Sequence, residues 1–425
     1  MHEFTLSSGR RLFYDVRMNT ICLGGSFAQA NFISHFSEPD DVGMSDIALF
    51  TVELTQQCNL RCDYCCFSGS YQEFRSHRQL EMSHELMQHC VDFISQNASQ
   101  QASEITICFY GGETLLALEK MKWMVEHLLE KLGDKAVFSI STNGYALTDA
   151  VVDWICNIER CYVNITVDGD RTMHDAHRKT RGGRGSYETI IGNLRRFRER
   201  YPKEYTERLR ILSTVLSWED VRRMSKEWNC EPALQAMHPV HISHIIPNFN
   251  DSSRTYDNRE TKDRFFADAM EHYKRGDEDI MVEALLNLVA LVARRKVSAW
   301  GSEQRLVTCL QDMHSCFINV MGELYACEKF GQLATLGSVY EGFDRVKMLA
   351  LQQSFTELKR RHCTQCWARR LCRMCLTAMN FRECDLPRLC EMERDTLDVA
   401  LKYFCEIKDW EASGNVSASR HPNTL

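Results

Sequence analysis

From residue 49 to residue 246 the chain alternates short apolar runs with amphipathic stretches, six times over. The apolar runs are 49–54, 105–110, 137–141, 163–167, 209–216 and 240–246. They are strand-length and rich in β-branched and aromatic residues. Helical spacing of apolar residues fills the gaps at 85–95, 116–132, 149–156, 187–198 and 218–227. Strands joined through helices lie parallel with right-handed crossovers. The pattern therefore predicts an α/β fold on a parallel sheet, as an open or closed barrel. Loops after the strands of a barrel open on its C-terminal face, where chemistry gathers.

The flanks read differently. Residues 1–46 form a strand-rich N-terminal segment, with a meander over 4–23 and a connector after it. The barrel core is expected over 47–247, a helical linker over 248–308, a Cys-rich domain over 309–410 and a disordered tail over 411–425. The most apolar run, 284–293, is far short of a membrane span. The N-terminus lacks a signal-peptide core. With 51 basic and 58 acidic residues the net charge is −7, so no basic field exists to hold a nucleic-acid backbone. The expectation is a soluble cytoplasmic protein with no nucleic-acid or membrane partner.

Twenty cysteines are the unusual feature of the composition. In a reducing compartment, cysteines at short spacings point to metal. Cys58, Cys62 and Cys65 make CxxxCxxC directly after the first apolar run. Three thiolates on one loop can hold three irons of a cubane and leave the fourth free for a small ligand. Cys66 is adjacent to Cys65 and must point elsewhere. Further on, Cys309, Gly322 and Cys327 give Cx12Gx4C, with Cys316 between them. Cys363, Cys366, Cys372 and Cys375 follow in CTQCWARRLCRMC, then Cys384 and Cys390. A pair of zinc ribbons is the alternative for this region. The scattered cysteines 22, 90, 108, 156, 161, 230 and 405 read as buried small hydrophobes. His238, His241 and His244 recur every third residue near the sixth run, and side chains three apart on a strand face opposite ways. They are not expected to converge on one metal, though His241 can meet substrate inside the barrel.

An aromatic residue, Tyr64, precedes the third loop cysteine. The second run ends in FYGGETLL, the third in SISTNGYAL and the fourth in NITVDGDRTMHDAHR. In this order, these motifs make the chain resemble the radical S-adenosylmethionine (radical SAM) superfamily, in its peptide-maturing branch. The second cysteine region, with LGSVYEGF and CWARRLC, resembles the SPASM domain, which holds auxiliary [4Fe–4S] clusters. Cys372 to Cys375 is one residue shorter than the usual CxxxC of that domain.

The resemblance implies a partial (βα)6 TIM-like barrel with a C-terminal Cys-rich iron–sulfur SPASM domain. It implies a SAM-binding [4Fe–4S] cluster on Cys58, Cys62 and Cys65. SAM is expected near Tyr64, Gly111, Gly112, Glu113, Ser141, Asn143, Asp168 and Arg178, with its ammonium on Glu113. One auxiliary cluster is expected on Cys309, Cys327 and Cys375, and another on Cys363, Cys366, Cys372 and Cys390. Cys316 and Cys384 are further candidate ligands. The reaction implied is reductive cleavage of SAM and hydrogen abstraction from a ribosomally made peptide. A thioether cross-link is the leading product. Carbon–carbon cross-linking, epimerisation and formylglycine formation use the same parts, and a non-enzymatic iron–sulfur sensor or scaffold is the reading of a different class. The partners implied are a precursor peptide, an electron donor such as flavodoxin or ferredoxin, and a separate leader-recognition protein.

Overall fold

The computed structural model describes residues 1–23, 35–36, 47–72, 74–235, 237, 239–251, 254–297, 303–304, 308–310, 313–331 and 333–415. Most of the connector 24–46, His238 and residues 416–425 of the expected tail lie outside the described residues.

The chain opens with an antiparallel meander of β1 (His2–Thr5), β2 (Arg11–Asp15) and β3 (Thr20–Cys22). A two-residue strand, β4 (His35–Phe36), comes next. The barrel begins with β5 (Leu49–Glu53), a short β6 (Leu60–Cys62) and α1 (His84–Asn97). Then follow β7 (Ile105–Tyr110) with α2 (Leu118–Leu132), and β8 (Ala136–Thr142) with α3 (Asp149–Cys156). After β9 (Cys161–Thr166) come α4 (Arg171–His177), β10 (Arg178–Thr180), α5 (Tyr187–Arg200) and α6 (Pro202–Arg208). The last repeats are β11 (Leu209–Val215), α7 (Trp218–Glu227) and β12 (Pro239–His244). Two helices follow, α8 (Arg259–Arg275) and α9 (Ile280–Ala293). The C-terminal part holds β13 (Glu303–Gln304), β14 (Ser315–Ile318), β15 (Glu323–Tyr325), β16 (Gly337–Ser338), β17 (Gly342–Phe343), α10 (Arg345–Cys363) and α11 (Leu386–Ala412).

All six expected strands lie in one ten-stranded sheet, in the order β12-β11-β9-β8-β7-β5-β14-β15-β16-β17. Strand alternation builds its core: Ile105, Ile107 and Phe109 of β7 are all fully buried. The sheet is parallel from β12 to β14 and antiparallel beyond. The Cys-rich region is thus not wholly separate from the barrel, because β14 pairs with β5 as a seventh parallel strand. Its residues Cys316, Phe317 and Ile318 are buried, as a strand covered on both faces requires.

The C-terminal region also contains α10, a 19-residue helix that the sequence pattern did not suggest. Asp344 caps it by accepting from Val346 N and Lys347 N at 3.0 and 3.1 Å, and the helix ends on Cys363. Helix α11 packs on α8 and α9 and runs past residue 411, into the expected tail. The N-terminal meander rests on α11, where Ser7 N donates to Glu406 at 2.7 Å and His2 pairs with Asp398 at 2.5 Å. The His2 ring stacks on Trp367 at 3.6 Å. Among the described residues, no helix is long and apolar enough to cross a membrane.

Candidate active site

The CxxxCxxC loop is pinned by backbone bonds before any side chain acts. Beyond β5 the chain runs beside the end of β7, where Gly112 N donates to Thr55 O at 3.0 Å and Glu113 N to Gln57 O at 2.7 Å. A Cβ on Gly112 would lie 2.0 Å from Gln57 O, so only glycine admits this approach. Arg61 Nη1 and Arg181 Nε both donate to Cys58 O, at 2.8 and 3.0 Å. The antiparallel β6–β10 pair sets Cys62 opposite Arg178.

Cys58, Cys62 and Cys65 line a cavity of about 590 Å³ inside the barrel. Gly111, Gly112, Ser141 and Asn143 line it from the ends of β7 and β8, and Arg178, Thr214 and His241 from further round. Glu328 and Lys329, which follow Cys327, close another side. His241 and His244 both contribute to the cavity wall, and the His244 ring, at the end of β12, also packs against Trp218 with centroids 4.4 Å apart. Burial pushes the Cys58 thiol up to about 12 and the Cys62 thiol up to about 11. Such thiols become thiolates only when a cation replaces the proton.

The donor set fits a polynuclear group better than a single ion. A tetrahedral zinc with Zn–S of about 2.3 Å draws its sulfurs to within about 4 Å of one another. Among the described residues, the one group of three possible ligands within 4.8 Å of each other is His272, Asp277 and Asp279, and no three thiols come that close. Arg178 lines the cavity, and its buried Nε has no hydrogen-bond partner.

The remaining expected SAM contacts divide. Tyr64 lines the cavity, and its hydroxyl donates to Asp168 and accepts from Arg178 Nη1 at 2.7 Å. Asp168 lies behind it, accepting also from Thr214 N at 2.8 Å and 3.8 Å from Arg178. Burial lifts the Asp168 carboxyl above the usual range despite Arg178 and Tyr64. Asn143 Nδ2 bonds Asn59 Oδ1 at 2.7 Å, tying the end of β8 to the cysteine loop.

Glu113 is placed differently from the other expected contacts. It is fully buried and is not part of the cavity wall. Its carboxylate caps the following turn, accepting from Leu115 N at 3.0 Å, Thr142 Oγ1 at 2.5 Å and Asn143 N at 2.8 Å. Burial raises its pKa even against these bonds. The side chain braces the turn at Thr142–Asn143, and the two glycines form the wall.

Sequence reading missed several wall residues. His77 donates from Nδ1 to Gln56 O at 3.3 Å and sets Nε2 3.9 Å from Cys65 Sγ. Glu328 is the acidic residue of the wall. His77 belongs to no spaced motif. Glu328 stood next to a singled-out cysteine, and that adjacency was the signal available.

The C-terminal cysteines form two groups. Cys363, Cys366, Cys372 and Cys390 line one small cavity between α10 and α11. Cys327 lies close enough to Cys309 and Cys375 for both to raise its thiol, and Cys375 does the same to Cys309. Cys316 stands apart in the core beside Cys90, because strand alternation in β14 turns it inward. Cys384 is exposed in the turn before α11 and is not on the wall of the four-cysteine cavity.

Residues 52–226 match the radical SAM superfamily. The chain carries a radical SAM domain with a C-terminal extension. That family implies a [4Fe–4S] cluster and SAM. In sequence the chain is 32% identical over 156 residues to an uncharacterised protein of Synechocystis, covering 34% of this chain and 36% of that protein. It is 25% identical over 169 residues to the cysteine-type anaerobic sulfatase-maturating enzyme of Clostridium novyi, covering 38% and 43%. It is 28% identical over 143 residues to the serine-type enzyme of Bacteroides thetaiotaomicron, covering 32% and 33%. The chain thus spans less than half the length of these curated relatives. Native anSMEcpe with bound AdoMet superposes with a TM-score of 0.62 at 17% identity, over 85% of this chain and 99% of that one. Its complex with AdoMet and Cp18Cys peptide gives 0.62 at 16% identity, over 86% and 99%. The radical SAM fold of mixed sheet and flanking helices is therefore shared along most of the chain.

Proposed function

We propose that this protein is a radical SAM enzyme that modifies a peptide. One observation carries the reading: the CxxxCxxC cysteines and Glu328 line a single cavity of about 590 Å³. Cys58, Cys62 and Cys65 would hold the SAM-binding cluster. Cys363, Cys366, Cys372 and Cys390 would hold one auxiliary cluster, and Cys309, Cys327 and Cys375 the other. The domain limits follow, with the barrel over 47–247, the linker over 248–308 and the SPASM region over 309–410.

When bound, the cluster and SAM supply homolytic abstraction of a hydrogen from a substrate carbon. The chain's own residues do the rest. Backbone at Gly111–Gly112 and the side chains of Ser141 and Asn143 shape the SAM end of the cavity. Arg178 Nε offers its open donor to a carboxylate, and Tyr64 with Asp168 keeps that guanidinium in place. Glu328 accepts the proton a substrate thiol or hydroxyl loses. With Cys316 in the core, the group near Glu328 has three thiols, one short of a full set, and this supports a substrate that brings a sulfur of its own. A thioether cross-link in a ribosomally made precursor is the product we propose. Formylglycine formation is the second reading, favoured by the two sulfatase-maturating relatives.

The test is anaerobic reduction with SAM. Wild-type protein is expected to release 5′-deoxyadenosine, and the variant with Cys58, Cys62 and Cys65 all changed to Ala is expected to release none. Release by that variant, or none by wild type, would overturn the proposal. With a candidate peptide, mass spectrometry separates the products: a thioether loses two hydrogens, whereas formylglycine from cysteine loses two hydrogens and also exchanges sulfur for oxygen.

A further inference from the structure

A second cavity, of about 300 Å³, adjoins the catalytic one, and the two share Phe67 and Glu328 in their walls. Its polar end is built around Glu53, which is 1% exposed at the end of β5. Gln56 Nε2 donates to Glu53 Oε2 at 2.9 Å, and Arg75 Nη2 donates to Glu53 Oε1. Val320 N donates to Oε2 as well, at 3.3 Å. These bonds hold both side chains and fix the orientation of the Gln56 amide, since the flipped amide would set two oxygens against each other.

One polar atom of each side chain is left over. Gln56 Oε1 and Arg75 Nη1 are buried and have no hydrogen-bond partner. Gln56 is 5% exposed, and Arg75 is held 3.9 Å over the Phe67 ring. The rest of the wall mixes the apolar Phe317, Phe330 and Met321 with the charged Arg78, Glu323 and Glu328. An unpaired buried acceptor and an unpaired buried donor around one carboxylate carry a desolvation cost with no return inside the protein.

We propose that this cavity is a subsite for an amide group of the substrate, next to the residue that reacts. Arg75 Nη1 donates to the amide oxygen and Gln56 Oε1 accepts the amide N–H. The amide is a peptide bond of the backbone or the carboxamide of an Asn or Gln side chain. Charge selects a neutral group. A carboxylate would meet Gln56 Oε1 and the acids Glu53, Glu323 and Glu328, and a cation would meet Arg75 and Arg78. The volume suits one residue, about ten times the share of a single water in the liquid. The subsite rests on the peptide-modifying reading above.

The experiment titrates anaerobically reconstituted protein with three probes by saturation-transfer NMR. N-methylacetamide stands for a backbone amide, propanamide for a side-chain amide, and methyl acetate keeps the carbonyl but lacks the N–H. At least one amide is expected to bind roughly three- to tenfold tighter than the ester, and the tighter amide names the source. In Gln56→Met, with iron content as the folding control, that advantage is expected to vanish. Arg75→Lys, a second variant should the first lose iron, is expected to weaken amide and ester alike. Equal binding of amides and ester to wild type, which means that Gln56 Oε1 serves water only, overturns the proposal. So does an advantage that survives Gln56→Met. Release of 5′-deoxyadenosine is scored separately: amide selectivity without it sinks the catalytic reading, and the reverse sinks the subsite alone.

Discussion

The loop of Cys58–Cys65 and the segment of Cys363–Cys390 both gather cysteines, and they are held in opposite ways. The loop hangs in a finished frame. It has β7 glycines on one side, the β6–β10 pair on another, and two arginines on the Cys58 carbonyl. The segment has turns of short reach, such as Cys366 N to Cys363 O at 3.1 Å and Cys372 N to Ala368 O at 2.8 Å, and two 3-10 turns before α11. Its four thiols around one cavity are what spans it. Where a sheet supplies the core, protein bonds set the ligands in place. Where it does not, metal binding would supply folding energy.

The largest effect expected is from removing iron. Chelation is expected to speed amide hydrogen exchange over residues 363–390 by on the order of a hundredfold, with little change in β5, β7 and β8. Equal loss of protection in both regions would erase the contrast.

Next is Gly112→Ala, which drives a methyl group into Gln57 O and breaks the frame of the barrel loop. It is expected to cost about 3 kcal/mol and to lose the iron of that loop while the C-terminal iron stays. Iron analysis with electron paramagnetic resonance checks this, and retention of all the iron would show that the frame is dispensable.

Tyr64→Phe removes the hydroxyl between Asp168 and Arg178 and leaves a buried carboxylate oxygen short of a donor. About 1–3 kcal/mol of stability should go, read by denaturant melting, together with SAM affinity but without iron loss. Smallest is Cys316→Ala, a core truncation expected to cost about 1 kcal/mol. Iron content should be unchanged. A fall in iron would make Cys316 a ligand and give the second region a support from the core.

The six barrel strands were legible because each carries its own apolar run between helical stretches. The partner of β14 was not. SCFI reads like any short core strand, and nothing local says that it lies beside Leu49–Val52. In the site, the loop cysteines were legible from spacing alone. Arg75, His77 and Gln56 were not, because a loop without periodicity brings them there. Glu113 shows a subtler gap. Its position after two glycines is plain in the sequence, but whether its carboxylate faces the cavity or turns back on its own chain depends on Thr142 and Asn143, about thirty residues on.

The pairing of β14 with β5 also sets an order of events at the ribosome. Leu49 meets Ser315, 266 residues later, so the first barrel strand keeps an open edge until most of the chain has been made. Contacts so distant in sequence form slowly, and an unpaired edge is exposed to wrong partners meanwhile. The nascent chain therefore passes through a long interval with its first cysteine loop synthesised and its sheet incomplete. Iron–sulfur insertion and chaperone protection would have to be timed to that interval rather than to the appearance of the loop.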